Sequence, residues 1–183
     1  MTAAGQTIGF SLSQQQRHLW RVYKQTGWEQ RPIRGRLRLE GPLDISILQA
    51  GLGNIVSRHE ALRTGLEVLP GMMLPVQTVS EAMPVINVRD LTTAAAGRSL
   101  EACSRVLNQF ENEPSFRDLG EPPIHAELVR FAAELHYLLI AISPFCGDRI
   151  SLRNVVFELA SAYGAQALPV QSVCLRMQAR LWF

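Results

Sequence analysis

Lysine is almost absent from this chain. Its 18 basic residues are 17 arginines and Lys24, an imbalance that reads as genomic composition rather than function. Against 16 acidic residues they leave a net charge of +2, too small an electrostatic footprint to expect a nucleic-acid partner. Cysteine is scarce too. Cys103, Cys146 and Cys174 are widely spaced and odd in number. No CxxC or Cys/His pattern suggests a metal site or a disulfide framework, so a reducing cytoplasm is the expected compartment. The N-terminus has no basic stretch followed by an apolar one, so no signal peptide is expected. The longest largely apolar run, residues 135–142, is far too short to cross a bilayer, and no membrane partner is expected. What the chain does have is a core: 47% hydrophobic residues over 183 positions exclude a disordered chain and fit one large domain.

Periodicity divides the sequence into alternating elements. Residues 1–11 read as a lead-in. Ser13 and Gln16 form a capping-box pattern at a helix start, with Leu19, Trp20 and Tyr23 on one face and Gly27 at the end. From Ile33 to Glu40 the chain alternates. Ile33, Gly35, Leu37 and Leu39 fall on one side, and Arg34, Arg36, Arg38 and Glu40 on the other, which predicts a half-buried strand. Asp44 caps a second helix whose apolar positions are Leu48, Leu52, Ile55, Val56, His59 and Leu62. Gly51 and Gly53 each weaken it by about 1 kcal/mol relative to Ala, so packing must hold it. Short strands are expected near 64–69, 73–79 and 84–88, and a helix over 98–111 that Pro114 stops. Two strands follow, 124–131 and 135–142. The second is apolar on both faces, as a fully buried strand is. After a loop at 143–149, Leu152, Val155, Val156, Leu159 and Tyr163 mark a fourth helix, and a last helix is expected between Pro169 and Phe183. The order αβαβββαββα predicts a mixed-sheet α/β layered domain.

Arg58-His59-Glu60-Ala61-Leu62-Arg63-Thr64 closes the second helix. It matches in full the second signature motif of nonribosomal peptide synthetase condensation domains, and the chain resembles the N-terminal lobe of that family over nearly its whole length (12–183). The first motif, Ser-x-Ala-Gln-x-Arg-Leu-Trp, is approximated by Ser13, Gln15, Gln16, His18, Leu19 and Trp20. Phe116-Arg117-Asp118-Leu119 and Pro123-Ile124 resemble a further family stretch. The third motif, His-His-x-x-x-Asp-Gly, falls on 143–149. Ser143 and Pro144 stand where the two histidines should be, Asp148 keeps the aspartate, and Arg149 replaces the glycine. Cys146 together with Asp148 fits a divergent form of this loop. The fourth motif should fall on 172–178, where Ser172, Cys174, Leu175 and Gln178 keep none of its diagnostic residues.

The resemblance implies one lobe of the chloramphenicol-acetyltransferase-like fold, with the second lobe absent. It implies amide-bond formation between substrates carried on the phosphopantetheine of carrier proteins, with no cofactor held by the chain itself. It also implies that the second histidine of the loop lies where the amine attacks, and a positioned base there contributes about 10²–10⁴-fold. Pro144 has no titratable group and no backbone N–H, so no catalytic residue is assigned. Cys146 reads as a small loop residue; as a nucleophile it would need His18 or His59 close in space. Asp148 is implied to shape the loop by pairing with an arginine. Arg58, Glu60 and Arg63 read as a buried or semi-buried ion-pair network that supports the fold, although they could line a binding surface. The Arg34/Arg36/Arg38 row reads as a solvated strand face, although it could meet an acidic carrier protein. His125 and His136 lie in strands without metal-ligand spacing and read as packed or surface histidines. Three functions remain open: a peptide-bond-forming acyltransferase by ancestry, a docking module for carrier proteins, neighbouring synthetase domains or a tailoring enzyme, and a remnant. Apolar surface around 143–149, uncovered without a second lobe, predicts self-association.

Overall fold

The computed structural model describes residues 9–26, 32–92, 100–112, 116, 121–166 and 178–181. Among these residues there are four α-helices, α1 (Gln14–Thr26), α2 (Ile45–Arg58), α3 (Leu100–Asn112) and α4 (Arg149–Gln166), and seven strands. The strands are β1 (Ile33–Glu40), β2 (Thr64–Glu67), β3 (Val76–Val79), β4 (Ile86–Asp90), β5 (Ile124–Ala132), β6 (Leu135–Ile142) and β7 (Gln178–Leu181). Five of them make one sheet in the order β4-β5-β6-β1-β7, while β2 and β3 form a separate hairpin. β4 runs parallel to β5 and the other pairings are antiparallel, so the sheet is mixed.

The expected doubly apolar strand is the centre of this sheet. Leu138, Ile140 and Ile142 of β6 join Leu37 and Leu39 of β1, and Leu52 and Leu159 of the helices, in one core. The residues between them face the other way, where Leu139 packs with Val129, Phe131 and Leu107. Helices α2 and α4 therefore cover one face and α3 the other. Each fully buried aliphatic side chain contributes roughly 1.5–3 kcal/mol. Gly51 is explained by this packing: a Cβ there would lie 3.2 Å from Leu159 Cδ1, so its absence lets α2 and α4 approach. Gly53 meets nothing within 4 Å and carries only its helix penalty.

Local signals place the ends well. The Ser13 N–H donates to Gln16 Oε1 at 2.9 Å and the Gln16 N–H to Ser13 Oγ at 3.2 Å, the reciprocal pair of a capping box. The Asp44 carboxylate accepts from the Ser46 and Ile47 amides. α2 ends at Arg58, and His59 is its C-cap rather than a helical residue; a 3₁₀ turn, Glu60–Arg63, follows.

Three expectations need correction. The last helix does not extend to the C-terminus: Gln178–Leu181 is a strand beside β1, because the open edge of β1 offers backbone hydrogen bonds that helical periodicity does not reveal. Residues 167–177 lie outside the described residues, and with them 172–175 of the fourth motif. The arginine face of β1 is not simply solvated. Arg34 lies over the Phe110 ring, 5.8 Å from its centroid, and Arg36 Nη1 is 3.2 Å from Glu111 Oε1, so α3 covers part of this row. Arginine stems can pack on apolar surface while their heads find acids. Phe10, within the expected lead-in, pairs its backbone with Gln77 in both directions at 2.8 and 2.9 Å.

The layered core predicts a sharp contrast. Leu138→Ala should cost about 2–5 kcal/mol, read from urea denaturation, whereas Val85→Ala, at a position 69% exposed, should stay within about 0.5 kcal/mol. A loss below about 1 kcal/mol for Leu138→Ala would contradict a central, doubly covered β6.

Candidate functional site

β6 runs directly into residues 143–149, and the loop turns back on itself at once. The Ser143 carbonyl accepts from the Cys146 and Gly147 amides at 3.1 and 3.3 Å, and the Ser143 N–H donates to the Pro123 carbonyl at 2.8 Å. Ser143 Oγ accepts from the Phe145 N–H at 3.3 Å. Phe145 swings inward and is buried with Leu12, Trp20 and Leu66. Gly147 permits the next step of the turn, since a Cβ there would sit 2.9 Å from Ser151 Cβ and 3.0 Å from Ile142 Cδ1.

The loop is clamped from outside by one side chain. Gln16 Nε2 donates to the Phe145 carbonyl and to Gln77 Oε1, both at 2.9 Å, while its Oε1 accepts from the Ser13 N–H. Gln77 Nε2 in turn donates to the Ser11 carbonyl at 2.9 Å. A single amide thus joins the start of α1, the β2–β3 hairpin and the loop. Between them lies a cleft of about 240 Å³, walled by Ser13, Gln15 and Gln16 on one side and by Pro144, Cys146 and Asp148 on the other.

The chemistry available in this cleft is limited. Pro144 lines it and cannot accept a proton. The Cys146 thiol donates to the carbonyls of Ser143 (3.2 Å) and Pro123 (3.6 Å). Burial pushes its pKa up to about 12, the opposite of what a nucleophilic cysteine needs. His18 is exposed on α1, and His59 Nε2 lies 2.8 Å from Glu158 Oε1, so neither is a hydrogen-bond partner of the thiol.

Asp148 has a different role from the implied arginine pair. Its carboxylate accepts from the Ser151 N–H (2.8 Å) and Oγ–H (2.9 Å), capping α4, and those bonds hold its pKa below the usual carboxylate range. The helix start directly after the loop supplies unpaired amides, and these are the partners it takes. Arg149 is exposed in the first turn of α4.

The second motif lies elsewhere and acts as a brace. Arg58 Nη1 is 3.3 Å from Glu158 Oε2, so Arg58 and His59 both grip Glu158 of α4. Arg63 lies 3.2 Å from Glu81 and 4.0 Å from Glu60. The ion pairs are in part semi-buried, at Arg63 and Glu158, and in part exposed: Arg58 is 71% exposed, and exposed pairs are individually weak. Glu158, Gln77 and the inward packing of Phe145 carry no signal in the sequence, because each depends on which elements meet. Among the described residues, no group of three or more His, Cys, Asp or Glu is placed to hold a metal, and no helix is long and apolar enough to cross a membrane.

The expected rim of exposed apolar groups around the loop is only partly present. Phe145 is buried, and the nearest large exposed hydrophobic residue in sequence is Ile150, followed along α4 by Phe157. A second exposed apolar group, Met72, Met73 and Leu74, tips the β2–β3 hairpin.

The mixed sheet with helices on both faces and a loop opening from its central strand has the fold of solved condensation domains, which is the chloramphenicol-acetyltransferase-like fold. The starter condensation domain of rhizomide synthetase RzmA superimposes with a TM-score of 0.73 over 91% of this chain and 40% of that one, at 16% identity. VibH, an NRPS condensation enzyme, gives 0.69 over 88% of this chain and 37% of its own, at 18% identity. A family model described as the condensation domain matches residues 10–173, and the chain belongs to that family. Surfactin synthase subunit 2 of Bacillus subtilis (strain 168) is 33% identical over 135 residues, which is 73% of this chain and 3% of that protein. The chain therefore spans less than half of these solved condensation domains and a small part of the synthetase subunit.

The clamp predicts the reactivity of Cys146. At pH 8 a thiol of pKa about 12 is ionised in roughly one molecule in ten thousand. Labelling by a thiol reagent, followed by peptide mapping, should modify Cys146 at least about a hundredfold more slowly in the folded chain than in urea. Gln16→Ala should speed folded-state labelling about tenfold or more by loosening the loop. Equal rates in folded and unfolded chain would overturn the buried placement.

Proposed function

We propose that this lobe serves nonribosomal peptide synthesis as a binding element and does not itself catalyse amide formation. One observation carries the reading. In the loop that matches the family's active-site motif, Pro144 offers no base and Cys146 is a buried thiol with a pKa of about 12. A positioned base contributes about 10²–10⁴-fold; neither Ser143 nor Pro144 supplies one, and the Asp148 carboxylate is taken up by Ser151 at the start of α4. Besides the Asp148 carboxylate, which is engaged at the start of α4, the cleft presents hydroxyl and amide groups from Ser13, Gln15 and Ser151.

The partners this reading assigns are carrier proteins bearing phosphopantetheine and neighbouring synthetase domains, in the cytoplasm. Cys146 and Asp148 line the cleft, and Ser13 and Gln16 face them; Trp20 packs on Phe145, while Arg149 and the Arg58, His59, Glu60 and Arg63 brace lie outside the cleft. The docking reading is favoured over an acyltransferase because the loop is held in place by many hydrogen bonds while its catalytic positions are inert.

Native mass spectrometry with holo carrier protein should detect a complex. Incubation with loaded donor and acceptor carriers should give no dipeptidyl thioester above the chain-free background. Chain-dependent product that disappears in Cys146→Ala would make Cys146 a nucleophile and sink this reading. The exposed Ile150, Phe157, Met72 and Met73 also support self-association when no partner is present. Sedimentation velocity should show the average mass rising with concentration, and a clean monomer that binds no hydrophobic dye would refute it.

A further inference from the structure

His136 is placed where the sheet tolerates a charge poorly. It is 3% exposed and lies on central strand β6, between Leu39 of β1 and Arg130 of β5. Its Nδ1 is buried and has no hydrogen-bond partner among the described residues. Across β5, Arg130 Nη1 is 3.8 Å from Asp90 Oδ2 at the end of β4. The Asp90 carboxylate is already occupied, accepting from the Thr92 N–H at 2.9 Å and the Thr92 Oγ–H at 2.6 Å. The register break of β5 falls between Arg130 and Ala132, and the Arg130 carbonyl accepts from the Leu91 N–H at 2.9 Å. His136, the irregular end of β5 and the last turn of edge strand β4 therefore form one corner, at the end of β6 opposite the 143–149 loop.

Neutral imidazole fits this corner; imidazolium does not. A second ring N–H would be buried without an acceptor, beside the Arg130 guanidinium. Arg130 and Asp90 are the charged groups that act on the ring from β5 and β4. β1 presents Leu39, while Arg38 and Glu40, which pair with each other, point to the opposite face. The helices meet the ring's side of the sheet through an apolar core. We propose that His136 is an acid-triggered release point, whose protonation frees the irregular end of β5, and β4 carried on it, from β6 while the rest of the sheet persists. Such groups, buried neutral, must charge when the structure opens.

The direction follows from linkage. Burial first, and then Arg130, hold the folded His136 pKa below its ordinary 6.5, with Asp90 opposing. Opening takes up a proton, so stability that is complete above 6.5 is lost as pH falls below it, by up to about tenfold per pH unit until the folded pKa is reached. His125 shifts in the same direction: it is half-buried, 4.6 Å from the Phe116 ring centroid and 3.7 Å from Glu121. The two histidines must therefore be separated by experiment.

Hydrogen exchange on the full chain between pH 7.5 and 5, corrected for intrinsic rates, supplies the test. In the wild type and in His125→Gln, protection of residues 86–91 and 124–132 should fall by up to about tenfold per unit below pH 6.5, ahead of β1. In a variant carrying both His125→Gln and His136→Leu it should stay flat. A ring-carbon NMR titration of the wild type should place the His136 midpoint below 6.5, and this decides the matter even if the variant folds poorly. An unchanged acid response in His136→Leu, loss of protection spread evenly over the sheet, or a His136 midpoint at or above 6.5 would each overturn the proposal.

Discussion

Leu138, Ile140 and Ile142 on one face of β6, and Leu139 with Leu135 and Tyr137 on the other, leave the central strand no solvent side. Such a strand has to be covered twice, and the rest of the layout follows from that need. Helices α2 and α4 supply one cover and α3 the other. β1 and β5 satisfy its backbone groups at both edges, in registers that run the length of the strand. A strand held this firmly gives its exit point a fixed position, and residues 143–149 begin there.

The loop is held in shape by its own residues together with one side chain from α1. Ser143 closes the turn with its carbonyl, Phe145 anchors it in a small cluster with Trp20, and Gln16 fastens it from α1. Asp148 spends its charge on the start of α4. Beside that carboxylate, the surface at the cleft is proline, a thiol kept protonated by burial, and neutral polar groups. The loop keeps its shape with Ser143 and Pro144 at the motif's histidine positions, because most of its hydrogen bonds use backbone groups and the Gln16 side chain.

The Arg58–Thr64 motif has no contact with this cleft in the structure. It gathers at the junction of α2 and α4, where Arg58 and His59 meet Glu158. Its pairs are in part exposed, and exposed pairs are individually weak, so the brace orients α4 more than it stabilises the chain. α4 starts from the loop's own aspartate, so the brace and the loop address opposite ends of one helix segment.

The sequence by itself determined whatever depends on neighbours along the chain. The capping box at Ser13 and Gln16, the Asp44 cap, the alternation of β1, the doubly apolar β6 and the loop between 143 and 149 are all local patterns of period or spacing. The family was legible in the same way, from contiguous motifs. Tertiary structure decided what depends on which elements meet. It covered the arginine face of β1 with α3, made 178–181 an edge strand, turned Phe145 inward, brought Gln77 and Glu158 to bear on residues about 60 and 100 positions away, and buried His136 beside Arg130. None of these has a periodic signature, because a hydrogen bond or ion pair between distant elements is set by their packing and register.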